Sequence, residues 1–501
     1  MRTKCNVFII VLMIFYFTSC KKFLDPQPIS TPTDEATWQS DGDANAAVAG
    51  IYALIRAAHS NAISYYAYGD LPSGEFSNTT DGSFLNVLNM QWGTAVPAAN
   101  VTTPLLILRT YTPYYTAIAQ SNRCLARIAV MPADNFNGND VASKTVQKNR
   151  YLGEAYFTRA YSYFELCRIY GDVPLVLNND DKSVSLEYAR TDQTTVLKQA
   201  ISDLRIAIKD LDWKNGASAD RVVRADRGAA YALLAHIYAW MGDYDDCNAA
   251  CDQVINSGSY SLVGASNYLD IYKGQSSEGI FEIARNSISE SSQANNGYTL
   301  AGATLTSPYI PSITTPNWQV NNGLVAQLYT DTTDVRFTKG FSMYTNGPVS
   351  YYECIKYTNI QMLNNNPSYL VSLNNIIIFR LADIELLKAE ALCAKSTPDY
   401  TTAQSIINNI RANRNAAPIT GLTAANTLQT VIDERGRELF LEGHRFYDLV
   451  RLERLNNVQQ FDNITTSEFK AGKYYWPVDP SLFLNNSKLT QTKFWQGKVS
   501  Q

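Results

Sequence analysis

The stretch Ala229 to Ile255, AAYALLAHIYAWMGDYDDCNAACDQVI, decides the fold class. Its first half places Leu233, Leu234, Ile237 and Tyr238 at the three-to-four-residue recurrence of an amphipathic helix face. Small Ala232 and Ala235 let a partner helix approach closely, Gly242-Asp243-Tyr244 reverses the chain, and a second helical run continues to Ile255. Helix, tight turn and helix with small residues at the contact is a tetratricopeptide pattern, in which each pair stacks on the next.

Working outward, the same periodicity recurs on both sides. Ala44 to Ala58 carries Val48, Ile51, Tyr52 and Ile55. Tyr111 to Val130 places Ile118, Leu125 and Ile128 on one side, and Gly153 to Ile169 has Phe157, Ala160, Tyr161 and Phe164. Thr194 to Leu211 follows with Val196, Leu197, Ile201, Leu204 and Ile208. Downstream, a pair runs from Phe379 to Cys393, turns through Thr397, Pro398, Asp399 and Tyr400, and resumes to Arg414; another spans Thr427 to Leu455. The spacing predicts helical hairpins within 111–257 and 379–455, without a strict period. Two stretches break the pattern, 59–104 and 261–375, rich in Gly, Ser, Asn, Thr and aromatics. Irregular stretches of this length are uncommon unless they carry function. The expected fold is therefore all-α, mainly helical, with two large loop-rich inserts and minor β-structure.

The amino terminus reads as an export signal over residues 1–19: Arg2 and Lys4, an apolar run from Val7 to Phe17, then Thr18 and Ser19 before Cys20. Phe17-Thr18-Ser19-Cys20 resembles a bacterial lipobox, which implies cleavage before Cys20 and its acylation; several acyl chains on one residue make a durable membrane anchor. Residues 20–33, with Pro26, Pro28 and Pro32, form an extended tether. The remainder, within 20–501, is expected to be one domain.

Composition excludes several classes. Forty-two basic and 46 acidic residues give a net charge of -4, with no basic footprint for nucleic acid. Cys124, Cys167, Cys247, Cys251, Cys354 and Cys393 fall mostly inside apolar helical patterns and read as core thiols. His59, His236 and His444 are widely separated and read as structural; no HExxH, GxSxG, Walker loop or GxGxxG occurs. Asp41, Asp43 and Asn45 imitate a calcium loop, but Ala46 stands where Gly is needed and Tyr52 where Glu is needed. No metal or cofactor is expected. Glu434, Glu438 and Glu442, interleaved with Arg435, Arg437 and Arg445, suggest an ion-paired helix face rather than glycosidase carboxylates flanking a cleft.

Several segments resemble one family. IDERGRELFLEGHRFYDLVR, Ile432 to Arg451, is similar to the C-terminal signature of SusD/RagB outer-membrane lipoproteins. RAYSYFELCRIYGDVPLV from Arg159, FRLADIELLKAEAL from Phe379, YYWPVDPSLFLNNSKLTQTKFW from Tyr474 and CKKFLDPQP from Cys20 agree with it. The resemblance implies a tetratricopeptide-containing fold that sits as a lid on a SusC-like TonB-dependent transporter, holds an oligomeric nutrient without cleaving it, and is lipid-anchored at the outer membrane. Most members bind glycans, and the RagB branch is associated with peptides.

Tyrosine is abundant, 32 copies against 19 Phe and 7 Trp, and its amphipathic ring suits wet binding surfaces. A sugar ring offers an apolar C–H face and a hydroxyl rim, so a binder needs flat aromatics for one and amides or charges for the other. Both inserts supply these groups. The candidates are Tyr65, Tyr66, Tyr68, Asp70, Phe76, Asn89 and Trp92 in the first, and Tyr298, Tyr309, Asn317 and Trp318 in the second, with Trp92 and Trp318 favoured by their polar neighbours. No catalytic residue is expected.

Overall fold

The computed structural model describes residues 37–96, 103–179, 187–213, 218–285, 290, 292–294, 299–366 and 368–499. Cys20, its signal peptide and the tether lie outside the described residues, as does Tyr298. Among the described residues, ten long helices build the frame: α1 (Asp41–Ser60), α2 (Thr112–Val130), α3 (Val141–Tyr170), α4 (Gln193–Asp210), α5 (Arg227–Met241), α6 (Tyr244–Asn256), α7 (Leu381–Ala394), α8 (Tyr400–Asn413), α9 (Thr427–Glu438) and α10 (Arg445–Asn456). The mainly helical fold expected from the periodicity is the one observed. No described helix is long and apolar enough to cross a membrane.

Boundaries depart from the apolar pattern where polar chemistry sets them. Helix α3 begins twelve residues before the predicted start at Gly153, because Asp140 and Ser143 form a reciprocal capping box there. Its first turns are mostly half-buried, so apolar spacing reports only the buried part. Asp43, one of the residues that imitated a calcium ligand, instead completes a capping box with Ser40 at the start of α1. The helix predicted from Phe379 starts at Leu381, since Ile376–Arg380 is a fully buried strand. All six described cysteines are buried, unbridged thiols.

The helices pack in chain order, α1 on α2 through α5 on α6, and then α6 packs directly on α7. The chain between those two, residues 257–380, therefore leaves and re-enters the stack at adjacent points. Its base is closed by β2 (Gly279–Ile283), antiparallel to β9 (Ile376–Arg380). Further out lie β3 (Ser292–Gln293), β7 (Ile360–Met362) and β8 (Leu370–Ser372), which form a small sheet in the order β3-β8-β7, and the hairpin of β5 (Phe341–Asn346) and β6 (Val349–Cys354). The first insert contributes β1 (Phe76–Thr79), which pairs with β4 (Trp318–Val320) of the second. The two irregular stretches thus form one joint layer, a long-range pairing that local pattern cannot report.

Burial of charge ties this layer to the frame. The Glu438 carboxylate accepts hydrogen bonds from Arg336 at 3.1 Å, Arg380 at 2.8 Å and Arg414 at 2.7 Å, and all four side chains are enclosed. Glu434 takes Arg336, Arg411 and Arg437; Glu442 takes Arg380 and Lys356. Burial opposes ionisation, but the facing guanidiniums override it, and Glu434 is lowered to about 2. The expected ion-paired helix face is corrected in one respect. Most partners come from distant elements, and Arg435 points instead to Asp383 and Asp448. Arg445 makes no ion pair with these glutamates, and its Nε and Nη1 have no hydrogen-bond partner among the described residues.

Two outcomes follow from this packing. Glu438→Ala removes the one anion shared by three enclosed guanidiniums and should cost about 3–5 kcal/mol of unfolding free energy in urea titration. A wild-type-like midpoint would show that the network contributes little. Asp226 caps α5, accepting the Ala229 N–H at 2.8 Å and the Tyr260 hydroxyl at 2.9 Å, and burial raises it from 3.8 to about 7. Between those values the unfolded chain has released a proton that the folded chain keeps, so stability falls as pH rises through that window. Asp226→Asn should flatten this slope in melts recorded from pH 4 to 7; an unaltered slope would assign it to other groups.

Candidate functional site

Most of the aromatic residues proposed from the first insert are core. Trp92 is wholly buried, stacked on Trp476 at 4.4 Å and 9°, and its indole N–H donates to the Val87 carbonyl at 3.0 Å. The Tyr68 hydroxyl donates to the Leu108 carbonyl at 2.7 Å and meets the Tyr170 hydroxyl at 3.0 Å. Tyr65 packs on His59 and Tyr66, and its hydroxyl donates to Ile377. Tyr66 and Phe76 are also buried, while Asn89 is half-buried. None of these buried rings presents a face to solvent, so the expectation that Tyr65, Tyr68 and Trp92 are ligand platforms is corrected. Their polar sequence neighbours gave no sign of partners far along the chain.

Asp70 has a different task from the expected contact with sugar hydroxyls. Both of its carboxylate oxygens accept the Gly443 N–H, at 2.8 and 2.9 Å, and Glu75 likewise accepts the Leu441 N–H. A Cβ on Gly69 would lie 2.2 Å from the Gly443 carbonyl oxygen, so the two backbones touch where only glycine fits. Burial raises both acids above the ordinary carboxylate range; Glu75 adds to the rise at Asp70, and nearby Glu442 adds to both. The first insert is thereby clamped to the turn between α9 and α10.

In the second insert Trp318 is also enclosed, edge-on to Phe76 at 5.3 Å and to Phe84 at 5.0 Å. It joins the two inserts and presents no platform, a second correction. Asn317 accepts the Thr80 hydroxyl at 2.9 Å and serves the same joint. Tyr309 alone among the described aromatic candidates is half-exposed, and the structure sets it beside residues the sequence reading had not singled out as ligands. On the β5–β6 hairpin Tyr344 and Tyr351 are directly opposed, both half-exposed. Alternation along the strands puts Ser342 and Glu353 on the same face below them, and Asn346 and Val349 above. Thr306 donates to Glu353 at 2.6 Å, and Asn346 donates to the Thr314 carbonyl at 3.2 Å. The segment from Thr306 to Thr314, which carries Tyr309, is therefore tied at both ends to this hairpin.

The hairpin is held from its other side as well. The Asn322 side chain donates to the Ser350 carbonyl at 2.8 Å and accepts the Tyr352 N–H at 3.0 Å, while Tyr352 packs on Phe337 and Phe341. The tyrosine face is thus a fixed, partly wet aromatic surface with exposed Asn346 and Thr314 at its open end. A separate cleft of about 170 Å³ has an apolar floor of Leu71, Phe76 and Met90 and a polar rim of Asn321, Gln460 and Asp462.

His236, Asp383 and His444 bring potential metal-ligating atoms within 4.8 Å of one another, all buried. The Asp383 carboxylate already receives His236 at 2.8 Å and Arg435 at 3.0 Å. Burial keeps both imidazoles toward the neutral form, His444 at about 4, and Arg435 and Arg451 add positive charge around His236. A divalent cation would enter a pocket already occupied by positive groups, so the cluster fits a hydrogen-bond network better than a metal centre.

With this geometry in hand, comparison places the chain among known proteins. Residues 308–495 match the SusD family model, and residues 22–239 match a second one described as starch-binding associating with outer membrane. A SusD-like protein of Formosa agariphila is 25% identical, with 97% of each chain covered. A SusD homologue of Bacteroides thetaiotaomicron, known from a crystal structure, is 26% identical with a TM-score of 0.76 over 91% of this chain and 98% of the other. A laminarin-binding SusD-like protein shares the fold at 22% identity, with a TM-score of 0.70 over 91% and 99%. The chain belongs to the SusD/RagB family.

Proposed function

We propose that this protein is a non-catalytic binding subunit that captures an oligomeric glycan on the Tyr309, Tyr344 and Tyr351 surface and delivers it to a SusC-like TonB-dependent transporter at the outer membrane, to which acylated Cys20 attaches it. The observation that carries the binding role is the opposed, half-exposed Tyr344–Tyr351 pair. It offers adjoining apolar ring faces for a sugar's C–H face, with Asn346 and Thr314 toward the hydroxyl rim. Mounted on a braced hairpin, these rings lose little conformational freedom on binding.

The family descriptions support glycan as the cargo: one model is described as starch-binding associating with outer membrane, and a structural relative is a laminarin-binding SusD-like protein. The absence of catalysis is supported by what the acidic signature helix does. Glu434, Glu438 and Glu442 are enclosed and committed to arginine and lysine partners, so they cannot flank a substrate across water as glycosidase carboxylates must. Transporter and lipid anchor are inferred from family resemblance and from the lipobox-like Phe17 to Cys20.

Calorimetric titration of the purified chain against a panel of β-glucan, α-glucan and mannan oligosaccharides should identify a binder from which no reducing ends are released. Tyr344→Ala with Tyr351→Ala should then weaken that binding by about 1–3 kcal/mol; unchanged affinity would remove this face from the site. Trp92→Ala should instead lower stability by about 3–5 kcal/mol while the folded fraction binds as before. Labelled palmitate should be incorporated by the wild type and absent from Cys20→Ala, and labelling of both alike would refute the anchor.

A further inference from the structure

Arg285 follows β2 and is 5% exposed. Its Nε and Nη2 are buried without a hydrogen-bond partner among the described residues; the residue's recorded bond is its backbone N–H donating to Asn375 Oδ1 at 2.8 Å. Arg336, Arg380, Arg414 and Arg435 each face at least two carboxylates, and Arg109 is satisfied by the Trp92 and Thr94 carbonyls; Arg445 is the other buried arginine with unpartnered nitrogens among the described residues. No carboxylate forms an ion pair with Arg285 among the described residues. Its charged neighbour is Arg56, whose Nη1 holds Glu290 at 3.0 Å and the Ala284 carbonyl at 3.3 Å. Burial lowers the Arg285 pKa, Tyr66 opposes that shift, and Arg56 adds to it.

Among the described residues, the one carboxylate paired with either guanidinium is Glu290, and it serves Arg56; Glu282 on β2 is bonded by Asn375 instead. Keeping a buried cation unpaired is costly, and an arriving anion offsets that cost. A guanidinium presents parallel N–H groups that match the oxygens of a carboxylate or a sulfate ester, and both bind it through the same charge-assisted pairs. We propose that Arg285, assisted by Arg56, is a recognition site for a carboxylate or sulfate group, of the kind that acidic and sulfated glycans carry. The cargo's being a glycan rests on the functional reading above; the anion site does not.

The test is thermal unfolding of the purified chain at constant ionic strength in sodium chloride, sodium glucuronate or sodium sulfate, with glucose as the neutral control. Glucuronate or sulfate should raise the melting temperature in a saturable way, and glucose should not. Arg285→Gln should abolish the saturable part and, because it removes an unpaired charge, should not lower the melting temperature in chloride. Arg285→Lys, which keeps the charge but not the fork, should retain a reduced response. Equal responses in wild type and both variants would overturn the proposal, as would a destabilised Arg285→Gln, the signature of a structural arginine. Tetragalacturonate and a sulfated chondroitin tetrasaccharide provide the oligomeric probes. Whichever binds should lose roughly tenfold to a hundredfold affinity in Arg285→Gln. Saturable stabilisation by the small anions with no affinity for any glycan would sink the glycan reading and leave the anion site standing. Binding of neutral glycans alone, with no anion response, would do the reverse.

Discussion

The structure depends on the enclosed carboxylate of Glu438 and the three guanidiniums around it. Arg336 comes from the second insert, Arg380 from the strand that closes it, and Arg414 from the end of α8, so one anion joins three parts of the chain that have no local reason to meet. Each cation lost water on folding, and the cluster holds because Glu434, Glu442 and Glu278 share the load. Such a cluster contributes less through net attraction than through intolerance of error: a register slip in any of the three parts would strand a charge in the core. The hydrophobic contacts favour a compact helical stack, and the ionic cluster selects where the inserts sit on it.

This division explains what could be read from the chain before folding. Helical existence was legible wherever apolar residues recur at helical spacing, as in Leu233, Leu234, Ile237 and Tyr238, and so was the tight reversal at Gly242. The extra turns at the start of α3 were not, because they are mostly half-buried and are held by the Asp140–Ser143 box. In the inserts the reading of ligand residues failed for a definite reason. Trp92 and Trp318 sit among polar neighbours, yet their packing partners, Trp476 for one and Phe76 and Phe84 for the other, are remote in sequence. An aromatic's local surroundings report the composition of its segment, whereas burial is decided by which other segment lies on top.

The residues that do form an exposed aromatic face were visible only as an alternating strand pattern, and strands of six residues are weak signals inside a long irregular stretch. Tyr344 and Tyr351 become opposed through the turn at Gly347, which has φ +61°. The segment carrying Tyr309 is tied to the same hairpin through bonds at both of its ends. Nothing in residue type distinguishes these tyrosines from the enclosed ones. The enclosed ring hydroxyls of Tyr65 and Tyr68 find backbone carbonyls, which is how so many tyrosines are accommodated in a core.

The direct packing of α6 on α7 has an evolutionary reading. Because the chain departs and returns at neighbouring points, lengthening or replacing residues 261–375 changes loop-closure entropy only slowly and leaves the stack uninterrupted. The region can drift as a cassette, exchanged between paralogues to alter which cargo is taken, on one condition. Arg336 and Lys356 must travel with the cassette, since Glu434, Glu438 and Glu442 stay behind on the frame and need their counter-charges. Specificity is free to diversify across much of that region, so long as these two basic residues and Glu278, which pairs with Arg380 and Arg414 of the frame, are kept.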